Sequence, residues 1–120
     1  ACAEAMMMCH RMRGGEVGGV VRDTFFVADD NHPQNVELVR TRAEALGLRV
    51  VVGPVRGCRW GVSMFGALLA NPSTDGTVRD FTAEVEAAHA SGVLVVVATE
   101  LLALTLVKSP GEMGADIAVG

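Results

Sequence analysis

The sequence predicts a three-layer α/β fold built around a mainly parallel sheet. Three observations predict it. Four short runs are apolar throughout, the pattern of strands covered on both faces rather than on one. Two segments between those runs repeat their apolar residues at helical spacing. And 120 residues, half hydrophobic and a fifth charged, suffice for one real core.

Taken in order, Ala3 to Met12 is rich in Ala, Met and Glu and predicts a helix. "RGGEVGG" (13 to 19) ends it. A phosphate-binding glycine loop follows a strand and opens a helix, whereas this stretch closes a helix and precedes a strand, so it reads as a flexible connector. The buried strands are "TFFVA" (24 to 28), "RVVVG" (49 to 53), "MFGALLA" (64 to 70) and "VLVVVA" (93 to 98), with "DIAVG" (116 to 120) as a fifth. Val36, Val39, Ala43 and Leu46 step by three, four, three, as do Val78, Phe81, Val85 and Ala88, so each set is the buried stripe of an amphipathic helix. Thr77 with Asp80 resembles a capping box, and Gly47 and Gly92 suit helix stops. Strand, helix, strand units with right-handed crossovers complete the layers.

Net charge is −4 with no run of Lys or Arg, which argues against nucleic acid and anionic membrane as partners. The longest apolar stretch, Val93 to Val107, is broken by Thr99 and Glu100 and is too short to span a bilayer; it predicts a buried strand and then a buried turn of helix. Cys2, Cys9 and Cys58 fit neither a disulfide framework nor a CxxC metal site, and free thiols in a reducing compartment are expected. The opening "ACAEAMMMCHRMR" has the composition of a helix interior, not of a signal peptide, and suggests a piece of a longer protein.

In open α/β sheets ligands gather beyond the carboxyl ends of the strands. The loops there are "ADDNHPQN" (28 to 35), "ANPSTDG" (70 to 76) and "ATELLA" (98 to 103). His32 precedes Pro33, which suits a first helical position, so His32 is the expected N-cap. Its imidazole could bond locally or stack on a flat aromatic ligand, and spacing alone leaves both open. Asp29 and Asp30 could hold a metal with His32, but they equally suit a strand end facing a helix N-terminus, and no metal site is assigned. Asn71, Ser73, Thr74 and Asp75 favour turn chemistry over substrate contact. Glu100, in apolar surroundings, reads as a structural or interface carboxylate. Cys9 and Cys58 lack a histidine at any nucleophile spacing, and His10 and His89 read as exposed helix residues. No catalytic residue is assigned.

Four stretches carry a resemblance: "AEAM" (3 to 6), "NHPQNVELVRTRAEALG" (31 to 47), "NPSTDGTVRDF" (71 to 81) and, most specific, "VVVATELLALTLVKSPGEMGADIAVG" (95 to 120). Through them the chain resembles the P-protein family of the glycine cleavage system, pyridoxal-phosphate-dependent glycine dehydrogenases (decarboxylating). The family has two related halves, fused or split into subunits, each similar to the large domain of a fold-type I pyridoxal phosphate enzyme. The motifs match the amino-terminal half, so residues 1 to 120 would be part of one such domain. The resemblance implies that the cofactor's Schiff-base lysine belongs to the other half, and that this segment is a scaffold beside it. Glycine, the catalytic half and the lipoylated H-protein are the implied partners, in the mitochondrial matrix of a eukaryote or the cytoplasm of a bacterium.

Covalent attachment of pyridoxal phosphate needs a lysine amine. The one lysine, Lys108 in "LVKSPGE", resembles the basic residue before the family's "PPGE" and not the cofactor lysine. "DDNHPQN" resembles the family's "DADCHPQT", and a histidine near the equivalent point of the other half stacks on the cofactor ring. His32 would then be a vestigial or interface contact to the cofactor. Departures from the family pattern are Glu100 for Asp, Ser109 for Pro, Asn35 for Thr and Asn71 for an aromatic residue. Two rival readings are another fold-type I enzyme, such as an aminotransferase or cysteine desulfurase, and a stand-alone α/β binding domain. The first would carry an Asp where Thr99 and Glu100 follow the strand.

Overall fold

The computed structural model describes residues 2–17, 19–55, 60–61, 63–71, 81–99 and 115–119. The chain runs α1 (Cys2–Arg13), β1 (Gly15–Val17), β2 (Val20–Arg22), β3 (Thr24–Ala28), α2 (Pro33–Leu46), β4 (Arg49–Gly53), β5 (Met64–Asn71), α3 (Thr82–Ala90), β6 (Leu94–Thr99) and β7 (Ile117–Val119). Five strands form one parallel sheet in the order β4-β3-β5-β6-β7. The expected three-layer architecture is the one observed.

Alternation along the strands sorts the core into two layers, because successive side chains point to opposite faces. Phe25, Val27, Leu68, Leu94 and Val96 meet α1 and α2 on one face. Phe26, Ala28, Ala67, Leu69, Val95 and Val97 meet α3 on the other. Cys2, Ala5, Met6 and Cys9 are the buried residues of α1, spaced three, one and three apart, which places them on one side of the helix. At their centre Gly66 of β5 lets the helix come close: a Cβ there would lie 2.9 Å from Phe25 Cε1 and 3.0 Å from Cys9 Cβ.

Four expectations need correction. The strand at 49 to 53 is not covered on both faces, for β4 is the sheet edge: Arg49 and Val51 are exposed, and Val50 and Val52 are half-buried against the first layer. Position in the sheet decides this, and nothing in "RVVVG" itself encodes it. The connector at 13 to 19 is no loose link, since β1 and β2 pair antiparallel with Val17 opposite Val20 across a two-residue turn. Gly19 closes that turn at φ +83°, a conformation that favours glycine. Leu46 leaves the α2 stripe and is half exposed. The helix ends there, Gly47 turns left-handed at φ +71°, and Leu48, its N–H bonded to Ala43 O at 2.8 Å, packs against the core instead. His10, expected at the surface, is half-buried with its ring edge-on to Phe65 at 5.1 Å.

Helix α3 begins at Thr82 with Phe81 as its N-cap residue, and Phe81, Val85 and Ala88 are buried as the stripe predicts. Val78 and the Thr77 and Asp80 pair lie outside the described residues, as do Cys58 and the expected helical turn after Thr99. Gly92, at φ +76°, supplies the stop after α3. Among the described residues no helix is long and apolar enough to cross a membrane.

Candidate functional site at the carboxyl edge of the sheet

The described part of the carboxyl edge is the turn from β3 into α2. Asp29 continues the ladder to the edge strand, donating its N–H to Gly53 O at 2.8 Å. Asn31 then folds inward, only 2 % exposed, and its Nδ2 donates to Ala28 O at 2.9 Å and to Leu68 O at 3.1 Å. One amide thereby joins β3 to β5 beyond their last register pair, Val27 with Leu68. Its Oδ1 is buried and accepts no hydrogen bond. Buried polar atoms without a partner are uncommon in folded proteins.

His32 follows at φ −57° and ψ 133°, the N-cap position expected from Pro33. Its carbonyl accepts the N–H groups of Asn35 at 2.9 Å and Val36 at 3.2 Å. The side chain makes no capping bond and is exposed. Backbone geometry alone starts α2, which leaves the imidazole available at the ligand edge. Asp29 is exposed and Asp30 half-buried. Asn71 is the last residue of β5, while Ser73, Thr74, Asp75, Glu100 and Lys108 lie outside the described residues. No group of three or more metal-ligating side chains occurs among the described residues.

Sequence reasoning missed Asn31. Its neighbour in the motif, His32, carries the recognisable chemistry, and a buried Asn declares itself only through carbonyls brought from two strands. It also missed the role of His89. On the opposite edge of the sheet His89 Nε2 lies 2.7 Å from Asp116 Oδ2, and the same carboxylate oxygen accepts Val95 N–H at 2.8 Å. This pair ties the end of α3 to the start of β7, beside a cavity of about 180 Å³ that Arg13 and Gly92 also line.

A thiol nucleophile is ruled out at Cys9. The side chain is fully buried, and desolvation, helped by the Asp116 carboxylate, pushes its pKa up to about 12. We expect Cys9 to resist alkylation at pH 8 in the native protein and to react once it is unfolded. The folded pKa lies above the ordinary value of 9.0, so the stabilisation is complete below pH 9 and is lost as pH climbs toward 12. Unfolding free energies taken between pH 8 and 11 should fall by at most roughly 2–3 kcal/mol, and Cys9→Ala should flatten that slope.

Comparison with known proteins assigns the chain to a family. A family model described as the glycine cleavage system P-protein matches residues 1–120. The chain belongs to the glycine cleavage system P-protein family. It is 50 % identical over all 120 residues to the glycine dehydrogenase (decarboxylating) of Psychromonas ingrahamii, and 44 % identical to that of Synechocystis. The chain spans 12 % of the length of each of these relatives. Among solved structures, a glycine decarboxylase (P-protein) in inhibitor-bound form superposes with a TM-score of 0.83 at 30 % identity, over 97 % of this chain and 26 % of that one. A cystathionine gamma synthase from Xanthomonas oryzae superposes with a TM-score of 0.66 at 19 % identity, over 96 % of this chain and 30 % of that one, and so shares the fold alone. The P-protein family resemblance thus extends from motif to backbone.

The β3–α2 turn offers two carboxylates, one amide whose donors are both engaged, and one free imidazole. Carboxylates repel a phosphate, and no lysine occurs among the described residues.

Proposed function

We propose that this chain is part of a glycine dehydrogenase (decarboxylating), and that it serves there as a non-catalytic scaffold packed against the half that holds pyridoxal phosphate. The match of the family model to the whole chain carries this reading. The parent enzyme releases carbon dioxide from glycine and passes the aminomethyl group to the lipoyl arm of H-protein, with pyridoxal phosphate supplying the electron sink. Within it, the chain's own residues present the β3–α2 turn at the edge of the cofactor site, with His32 as a contact to the ring or to the interface around it. The higher identity to P-proteins than to sulfur amino acid enzymes disfavours another fold-type I enzyme. A compartment that keeps thiols reduced, cytoplasm in bacteria or mitochondrial matrix in eukaryotes, completes the proposal.

The test uses the whole parent P-protein with pyridoxal phosphate, lipoylated H-protein and carboxyl-labelled glycine. Labelled carbon dioxide should appear, and borohydride reduction followed by peptide mapping should place the pyridoxyl group outside residues 1–120. No label release would remove the activity, and a pyridoxyl group on Lys108 would remove the scaffold assignment. His32→Ala should change unfolding free energy by less than about 0.5 kcal/mol, because the exposed ring makes no capping bond. In the same enzyme it should weaken pyridoxal phosphate retention or raise the KM for glycine by about threefold to tenfold, that is by roughly 1 kcal/mol. Unchanged values for both would dismiss His32 from the site.

A further inference from the structure

We propose that Asn31 is a positioning residue, acting on the site through His32; this rests on the reading of His32 just given. Three observations carry it. First, the turn that delivers His32 is tied to the sheet through Asn31, whose backbone N–H bonds Ala28 O at 3.1 Å and whose amide holds Ala28 O and Leu68 O at 2.9 and 3.1 Å. Second, the His32 side chain has no capping bond of its own to fix it. Third, the next residue is Pro33, whose ring restricts φ, so the backbone of His32 is held from both sides with little freedom between.

The arrangement is unusual in where it spends its polar groups. Both donors of a buried amide go to carbonyls of two different strands, while its Oδ1 stays unbonded. A side chain chosen only to fill space at this point could be apolar, since leaving a buried acceptor without a partner is unfavourable. What the amide adds is a fixed distance between the ends of β3 and β5, and with it the place from which His32 starts.

A double-mutant cycle in the whole parent P-protein separates positioning from mere stability. Asn31→Ser, Asn31→Ala, His32→Ala and the two combined variants are compared for pyridoxal phosphate dissociation, KM and kcat, with unfolding followed in parallel. Asn31→Ser is included because it keeps a polar side chain of small volume and folds if Asn31→Ala does not. The expected result is that each single change weakens cofactor retention or raises KM by about threefold to tenfold with smaller change in kcat, and that the combined variant is no worse than His32→Ala alone. Unfolding should instead show the full cost of the Asn31 change in both backgrounds. If the Asn31 effect on retention is as large without His32 as with it, the inference is overturned while the reading of His32 stands. If His32→Ala changes nothing, the reading of His32 itself fails and takes this inference with it.

Discussion

Gly66→Ala destabilises the sheet by about 3 kcal/mol, at the upper end of what overpacking produces. The new methyl meets Phe25 Cε1 at 2.9 Å and Cys9 Cβ at 3.0 Å, both inside ordinary contact distance. Neither can step aside cheaply. Phe25 is fully buried and stacked on Phe65 with ring centroids 5.5 Å apart, and Cys9 Cβ is attached directly to the α1 backbone. Relief therefore requires α1 to lift from β5, which opens the layer that Met6, Leu68 and Val96 share. Hydrogen exchange of the β5 amides in the parent protein should report the loss of protection, and Gly66→Val should lose more. Phe25→Leu in the Gly66→Ala background should recover part of it, since the ring atoms in contact are gone. Protection equal to that of the unaltered protein would mean that α1 does not sit where the structure places it.

Arg22→Met is expected to cost about 2–4 kcal/mol. The guanidinium of this half-buried residue binds three carbonyls on two chain segments: Nη1 donates to Met64 O at 2.7 Å and Gly92 O at 3.2 Å, and Nη2 to Ser91 O at 3.1 Å. Two of these carbonyls lie just past α3, where unpaired carbonyls carry partial negative charge and favour a cation. Charge-assisted bonds of this kind are worth roughly twice a neutral one, and removing the donor leaves the acceptors without their partner. Arg22→Lys should recover less than half, because one ammonium cannot reproduce the planar fork. Exchange at Val93 and Met64 is the measurement, and full recovery in the Lys variant would show that charge alone mattered.

Much of the fold is legible residue by residue. "TFFVA", "MFGALLA" and "VLVVVA" announce strands buried on both faces, and β3, β5 and β6 are central in the sheet. "RVVVG" has the same look, yet forms the edge, because which strand comes last is a property of the whole sheet and not of five residues. "GEV" and "VVR" are too short to show alternation, so their hairpin hides between glycines. At the site, Pro33 made the N-cap position of His32 readable, since proline's fixed φ is a local constraint. Asn31 and Arg22 were not readable for the opposite reason. Each acts on carbonyls from distant segments, 37 residues away for the former and up to 70 for the latter. Leu46 shows how a rhythm can overreach: the spacing was right, but Gly47 ended the helix and handed the buried place to Leu48.

The seating of α1 over Gly66 sets an order of events during synthesis. Cys9 and the residue it rests against are separated by nearly half the length of the 120-residue chain. At translation speeds of about 5–20 residues per second, the sticky side of the first helix leaves the ribosome several seconds before its docking place exists. Until the fifth strand emerges, that side of the helix lacks the partner that buries it in the folded chain.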